Sequence, residues 1–306
     1  LSFYLFDAGL EDARYEVDTE MIERDMAEVL VGSCVDESQD TKHVMLAARA
    51  VAEGGLVKLC EGTHEAFDGL RFRAEGIRLR GEVDAATAPQ DWPRLQAWQG
   101  QALLPVEQQV IGMERVGWEL SGSPLALRMD DLDGGMLQLD GVYVTGDLPE
   151  SSYALRVRGP LGVDWSQTQE RPLFRQLVID VTAQNALQIE RFVEVEISDV
   201  RVENATQRGI YLSDVASSTL SNVTIVDAKQ AIEWGGAGSH NNTLRSIDVT
   251  HALSAQGGVG GVPSVFIQDH APTQTPSTVS TSTMRIEDLF IELGEDGQTG
   301  LVVRGM

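Results

Sequence analysis

Ile197-Ser198-Asp199-Val200-Arg201-Val202, Leu220-Ser221-Asn222-Val223-Thr224-Ile225 and Leu244-Arg245-Ser246-Ile247-Asp248-Val249 are copies of one pattern, apolar-x-x-apolar-x-apolar. Their first positions lie 23 and 24 residues apart. Outward from this stretch the pattern recurs as Ala74/Ile77/Leu79, Met113/Val116/Trp118, Leu139/Val142/Val144, Phe174/Leu177/Ile179 and Ile286/Leu289/Ile291, which makes eight copies. Steps of 26, 35, 39 and 42 residues separate other neighbours and imply insertions into a unit of 23 or 24. A repeat of this size signals a solenoid.

Each copy ends in period-2 alternation, and a second alternating run usually follows, as in Leu187-Gln188-Ile189, Ile210-Tyr211-Leu212, Ile232-Glu233-Trp234 and Val265-Phe266-Ile267. Alternation of β-branched and aromatic residues reads as strand, whereas helical repeats show i, i+3, i+4, i+7 spacing. Between the runs stand turn formers at matching places, among them Asn204 and Asp227, residues that tolerate a left-handed backbone. A leucine-rich repeat would carry a fixed Leu and Asn ladder, which is absent. The expected fold is all-β, a parallel β-helix in which each coil buries its apolar face against the coils above and below.

At 306 residues with 42% hydrophobic content, the repeat argues for one elongated domain. The net charge of −24, from 23 Lys+Arg and 47 Asp+Glu, excludes nucleic acid as a natural partner, because phosphate contacts need a basic face. Such acidity suits solubility in a salty or extracellular medium. It also suits a divalent cation, although no Asp-rich calcium loop is present. No apolar run reaches the length of a membrane span. The chain begins at Leu1 rather than Met, which points to a processed or trimmed product. Cys34 and Cys60 are the two cysteines; an extracellular setting favours a disulfide between them, and a reducing one would leave two small buried hydrophobes.

Residues 1–33 lack the repeat and read as an acidic leader or docking segment, leaving 34–306 as the β-helix domain. Apolar spacing predicts a short capping helix near 41–52, closed by Gly54-Gly55. A cap is expected because the open end of a β-helix exposes its core and unpaired strand edges. The breaks in the repeat place inserted loops near 82–110, 145–172 and 250–283, the regions where function usually sits on a rigid scaffold.

The run Asp36-Glu37-Ser38-Gln39-Asp40-Thr41, the Ala-rich helix, Gly54-Gly55-Leu56-Val57-Lys58-Leu59, Glu61-Gly62-Thr63-His64 and Gly76-Ile77-Arg78-Leu79-Arg80-Gly81 resembles the start of the pectate-lyase-like superfamily. Glu61 and His64 stand where members commonly have Pro and Tyr. The resemblance implies a right-handed β-helix. It covers lyases, hydrolases, esterases, epimerases, tailspikes and non-catalytic surface proteins, so fold alone names no activity. Polygalacturonase-like hydrolases set an Asp-Asp pair before a strand, whereas this chain has Gln207-Arg208 and Lys229-Gln230. The pectin methylesterase strings and the Arg-x-Pro-x-x-Arg signature of calcium-dependent pectate lyases are missing too.

Alternation still tells which side chains leave the cylinder. Arg156 and Arg158, Gln188 and Glu190, Tyr211, Glu233, Phe266 and Gln268 are expected outward on successive second strands. Coils stack at about 4.8 Å, so these residues would form one stripe suited to a sugar chain. Arg158, Glu190, Tyr211 and Glu233 are its candidate catalytic groups, with Arg156, Gln188, Phe266 and Gln268 binding substrate. Glu190 and Glu233 would act as the two carboxyls of an inverting hydrolase, or Arg158 and Tyr211 would serve a lyase on a uronate. The competing reading is that stacked Arg and Glu are ordinary cross-strand ion pairs. No two histidines have metal-ligand spacing, so no metal site is expected. Two functions fit: a secreted or virion-borne glycan-cleaving hydrolase or lyase, and a non-catalytic adhesive or structural β-helix such as a tail or surface-fibre component. Both engage a polysaccharide or cell-surface glycan, and both admit a homo-oligomer or larger assembly.

Overall fold

In the computed structural model the hexads, the first of them from Ile77 on, lie in one parallel sheet and the second runs lie in another. The structure describes residues 26–32, 44–65, 74, 76–98, 110–121, 125–129, 138–148, 153–159, 172–236, 239, 241–252, 263–269, 284–293 and 300–305, among which all counts are made. The first sheet runs in the order β1 (Met26–Val31), β2 (Val51–Leu59), β4 (Ile77–Gly81), β6 (Val110–Ser121), β8 (Gln138–Asp147), β10 (Leu173–Thr182), β12 (Glu196–Glu203), β14 (Thr219–Val226), β16 (Thr243–Ala252), β18 (Arg285–Leu293). Two short strands, β3 (Thr63–Glu65) and β5 (Arg94–Trp98), extend it beside β6. The second sheet runs β19 (Leu301–Gly305), β17 (Val265–Asp269), β15 (Gln230–Gly235), β13 (Arg208–Ala216), β11 (Asn185–Val193), β9 (Tyr153–Arg158), β7 (Leu125–Met129). From β6 onward the chain visits the sheets alternately and returns each time one strand further along, with parallel pairing throughout. That path is a β-helix.

The hexads owe their unequal spacing to a bend. In an unbroken strand, residues three apart face opposite sides, yet the first and second apolar positions of each hexad, three apart, are both packed inward, as Phe174 and Leu177 are at 0% exposure. The residue just before the second apolar position resolves this, because it has positive φ in all eight copies: Gly76, Arg115, Gly141, Gln176, Asp199, Asn222, Ser246 and Asp288. One left-handed residue turns the chain and resets the alternation. Register then stacks the hexads in columns, Ile197 with Leu220 and Leu244, and Val200 with Val223 and Ile247, as the repeat predicts. Asn204 (φ 64°) and Asp227 (φ 58°) are left-handed at the turn into the second sheet, also as expected. The Asn204 amide donates to Asp180 at 2.8 Å and the Asn222 amide to Asp199, so the corners are bonded from coil to coil. Trp118 and Trp234 fill the core at 1% and 0% exposure.

Several expected boundaries move. The leader was drawn to residue 33, but β1 pairs in parallel with β2 and buries Val29 and Val31, so the solenoid begins by Met26. The acidic stretch before it lies outside the described residues. The helix is shorter than expected, α1 (Val44–Ala50), seven residues, with Val44, Ala47, Ala48 and Ala50 in the core cluster, and β2 starts directly at Val51. The insertions are shorter too. β5 falls within 82–110, β9 within 145–172 and β17 within 250–283, and each is paired into a sheet. Cys60 is buried at the end of β2 and is not a free thiol, while Cys34 lies outside the described residues.

Candidate functional site

The outward residues of the second sheet do stack. Backbone register puts Arg156 opposite Gln188, Gln188 opposite Tyr211, Tyr211 opposite Glu233 and Glu233 opposite Phe266. A parallel column two residues further on holds Arg158, Glu190, Ser213 and Gly235. Gln268 stands opposite Arg304, and its side chain lies outside the described residues. The sequence reading made one stripe of two columns, which matters for the carboxylates. Glu190 and Glu233 are two strands and two residues apart, a Cα separation of about 12 Å from strand geometry.

Each carboxylate also has its own partner. Glu233 takes the Arg208 guanidinium, and Glu190 accepts from the Gln188 amide and lies 4.0 Å from Arg156. The two arginines lie over aromatic rings, Arg156 at 5.3 Å from the Tyr153 centroid and Arg208 at 5.1 Å from that of Tyr211. This is cation–π distance. Arg208 further donates to Asn185 at 3.5 Å. The result is a patch of guanidinium planes, phenol rings and amides rather than a pair of carboxyls facing across a gap.

Arg208, Tyr153 and Asn185 were missed by the sequence reading. They belong to a third register column, Tyr153, Asn185, Arg208 and Gln230, which runs three residues ahead of Arg156, Gln188, Tyr211 and Glu233. The recurring polar residue at that offset was the available signal. A strict period of two sets an offset of three on the inner face, and so hid it.

Charge separates the two sheets. By sequence the seven strands of the second sheet carry six arginines and four carboxylates, while the twelve of the first carry nine Lys or Arg against fifteen carboxylates. In a chain of net charge −24 the strands of the second sheet are the relatively basic ones by sequence. On the first sheet a depression of about 530 Å³ is lined by Gln138, Leu173, Glu196 and Thr219, which share one register row, with Glu194 and Ser217 at the corner; its charged groups are acidic. Elsewhere on that sheet arginines pair with carboxylates within a coil, as Arg201 does with Glu203, or across coils, as Arg175 does with Asp140, whose hydrogen bond and charge hold the guanidinium above its ordinary pKa. Among the described residues no group of three or more His, Cys, Asp or Glu is placed to hold a metal ion, and no helix is long and apolar enough to cross a membrane.

No protein-family model and no curated protein sequence matches the chain. Among solved structures, a mutant of the periplasmic alginate epimerase AlgG is similar at 9% identity, over 84% of this chain and 76% of that chain, with a TM-score of 0.25. A score that low says nothing of function, and the fold rests on the strand register.

Proposed function

We propose that this chain is a right-handed, pectate-lyase-like β-helix that acts outside the cell, at a cell surface or on a virion, and holds an extended anionic polysaccharide across the outer face of its second sheet. The observation that carries the reading is the placement of Arg156 over Tyr153 and Arg208 over Tyr211, with Gln188 between them, on the relatively basic strands of an acidic protein. Guanidinium is the side chain best matched to a carboxylate, because its planar fork bonds both oxygens. Successive coils repeat at about 4.8 Å, so a chain laid across the strands meets a new set of side chains at every coil.

Binding is the primary role, because Glu190 and Glu233 stand in different columns, each bonded to its own neighbour rather than facing the other across a gap. Lyase chemistry is the second reading. It is favoured by Arg208 beside Tyr211, which would set a phenol next to a neutralised uronate.

The test uses oligogalacturonate and its methyl ester, which share a backbone and differ in charge. The acid form is expected to bind, more weakly as salt rises and screens the contact. Arg208→Gln should weaken binding about tenfold, the loss typical of a removed charge-assisted partner, and Tyr211→Ala should weaken it too, with both variants still folded at the temperature of the assay. Equal binding of acid and ester, or parent-like binding by both variants, would sink the reading. The ultraviolet absorbance of an unsaturated uronate, growing on incubation, would decide for the lyase.

A further inference from the structure

We infer that the first sheet carries a second glycan site, separate from the face described above and built around Arg78, which takes a largely neutral oligosaccharide bearing one carboxylate. Of the nine Lys or Arg in the strands of this sheet, eight pair with carboxylates. Arg78 alone has no ion pair or hydrogen bond of its side chain among the described residues. It lines a depression of about 290 Å³ together with Arg80, Glu114 and Asp140. Those three are already engaged, Arg80 with Glu82, Glu114 with Arg115 and Asp140 with Arg175. In a chain of 47 Asp+Glu against 23 Lys+Arg, the leftover guanidinium is matched to a carboxylate that a ligand brings, which its planar fork bonds through both oxygens.

Gly112 stands opposite Arg78 on the next strand and lines the same depression. Glycine weakens a strand interior, and where it occurs it marks a bulge or the close approach of a ligand. The register does shift just before Gly112, but its φ is not left-handed, so the bulge does not demand glycine. A Cβ there would meet Arg78 Cγ at 3.5 Å and the Gln138 carbonyl oxygen at 3.6 Å, ordinary van der Waals distances. The fold thus has room for a side chain that the sequence leaves out. One register row, Arg78, Gly112, Gln138, Leu173, Glu196 and Thr219, joins this depression to the larger one on the same sheet, and Gln138 lines both. Its five steps of about 4.8 Å span about 24 Å. Past Gln138 the polar groups are the hydroxyls of Ser217, Thr219 and Ser221 and the carboxylates of Glu194 and Glu196, which suit sugar hydroxyls and disfavour a second acid. A sheet face offers no open strand edge, so an extended peptide gains no backbone pairing there. The acidic sugar therefore sits at Arg78, with neutral sugars along β8 to β14.

The probes are a xylo-oligosaccharide carrying one glucuronate and the same oligosaccharide without it, titrated calorimetrically into the full chain. The parent should bind the acidic probe about tenfold more tightly than the neutral one. Arg78→Gln should remove that preference, and Arg208→Gln, on the second sheet, should leave it intact. Gly112→Thr should weaken binding of the acidic probe about tenfold by filling the depression. Gly112→Ala should unfold about 1 °C or more above the parent, as expected where glycine meets no structural need. The inference is overturned if the parent binds neither probe or both alike, if Arg78→Gln keeps the preference, or if Gly112→Thr binds like the parent. Unfolding of Gly112→Ala below the parent would make the glycine structural and overturn it too. If Arg208→Gln removes the preference and Arg78→Gln does not, the probe lies on the second sheet, and the reading of that face stands without this site.

Discussion

At the scale of the residue, the fold turns on one left-handed position per hexad. Non-glycine side chains there cost about 1–2 kcal/mol each, because Cβ crowds the following carbonyl. Glycine, asparagine and aspartate occupy five of the eight, and Arg115, Gln176 and Ser246 the rest. Gln176 is exposed at φ 54°, so replacing it loses no packing. Gln176→Gly should raise stability by up to about 1 kcal/mol once the greater chain entropy of glycine is subtracted. Gln176→Val should lower it by more than about 1 kcal/mol, since β-branched residues are outliers at positive φ. Urea unfolding of the three proteins orders them; valine at or above glutamine would show that the bend is not left-handed.

At the scale of the element, a hexad is stable only as a member of a stack. Leu220 is fully buried between Ile197 and Leu244, so Leu220→Ala should cost about 2–5 kcal/mol, from lost transfer energy and the cavity left in the column. Chemical denaturation measures it. A cost below about 1 kcal/mol would mean that neighbouring coils close over the gap, and that the core is far more pliable than stacked columns imply.

At the scale of the molecule, the two ends differ. The first coils carry Cys60, buried and not free, and we propose Cys34 as its partner. A disulfide there closes a loop of moderate length, and its removal is expected to cost about 2–4 kcal/mol. Cys60→Ser should lower the unfolding temperature, and thiol titration of the denatured, unreduced parent should find no free thiol. Two free thiols would rule the bond out. At the other end Leu301 and Val303 pair with Val265 and Ile267. The inner pair is 0% exposed and the outer pair 40% and 47%. The same kind of side chain at the same register position is core or surface according to whether another coil covers it.

How much was legible in the sequence follows from which interactions are local. Side-chain alternation is a property of a single strand, so the hexads, the inward tryptophans, the outward Arg156, Gln188, Tyr211 and Glu233, and the corner residues Asn204 and Asp227 could all be read directly. The bend inside the hexad was hidden because Arg115 and Gln176 are not turn formers; the left-handed backbone there follows from the paired strand residues on either side of it. β1 escaped notice because Met26–Val31 has no hexad and is a strand by virtue of β2 beside it. Strands β9 and β17 were partly lost among insertions, since second-sheet strands carry only short alternation. The site divides in the same way. Local alternation set which side chains point outward, but the division into columns and the arginines over tyrosines were decided by register between coils, which exists only once strands distant in the chain lie side by side.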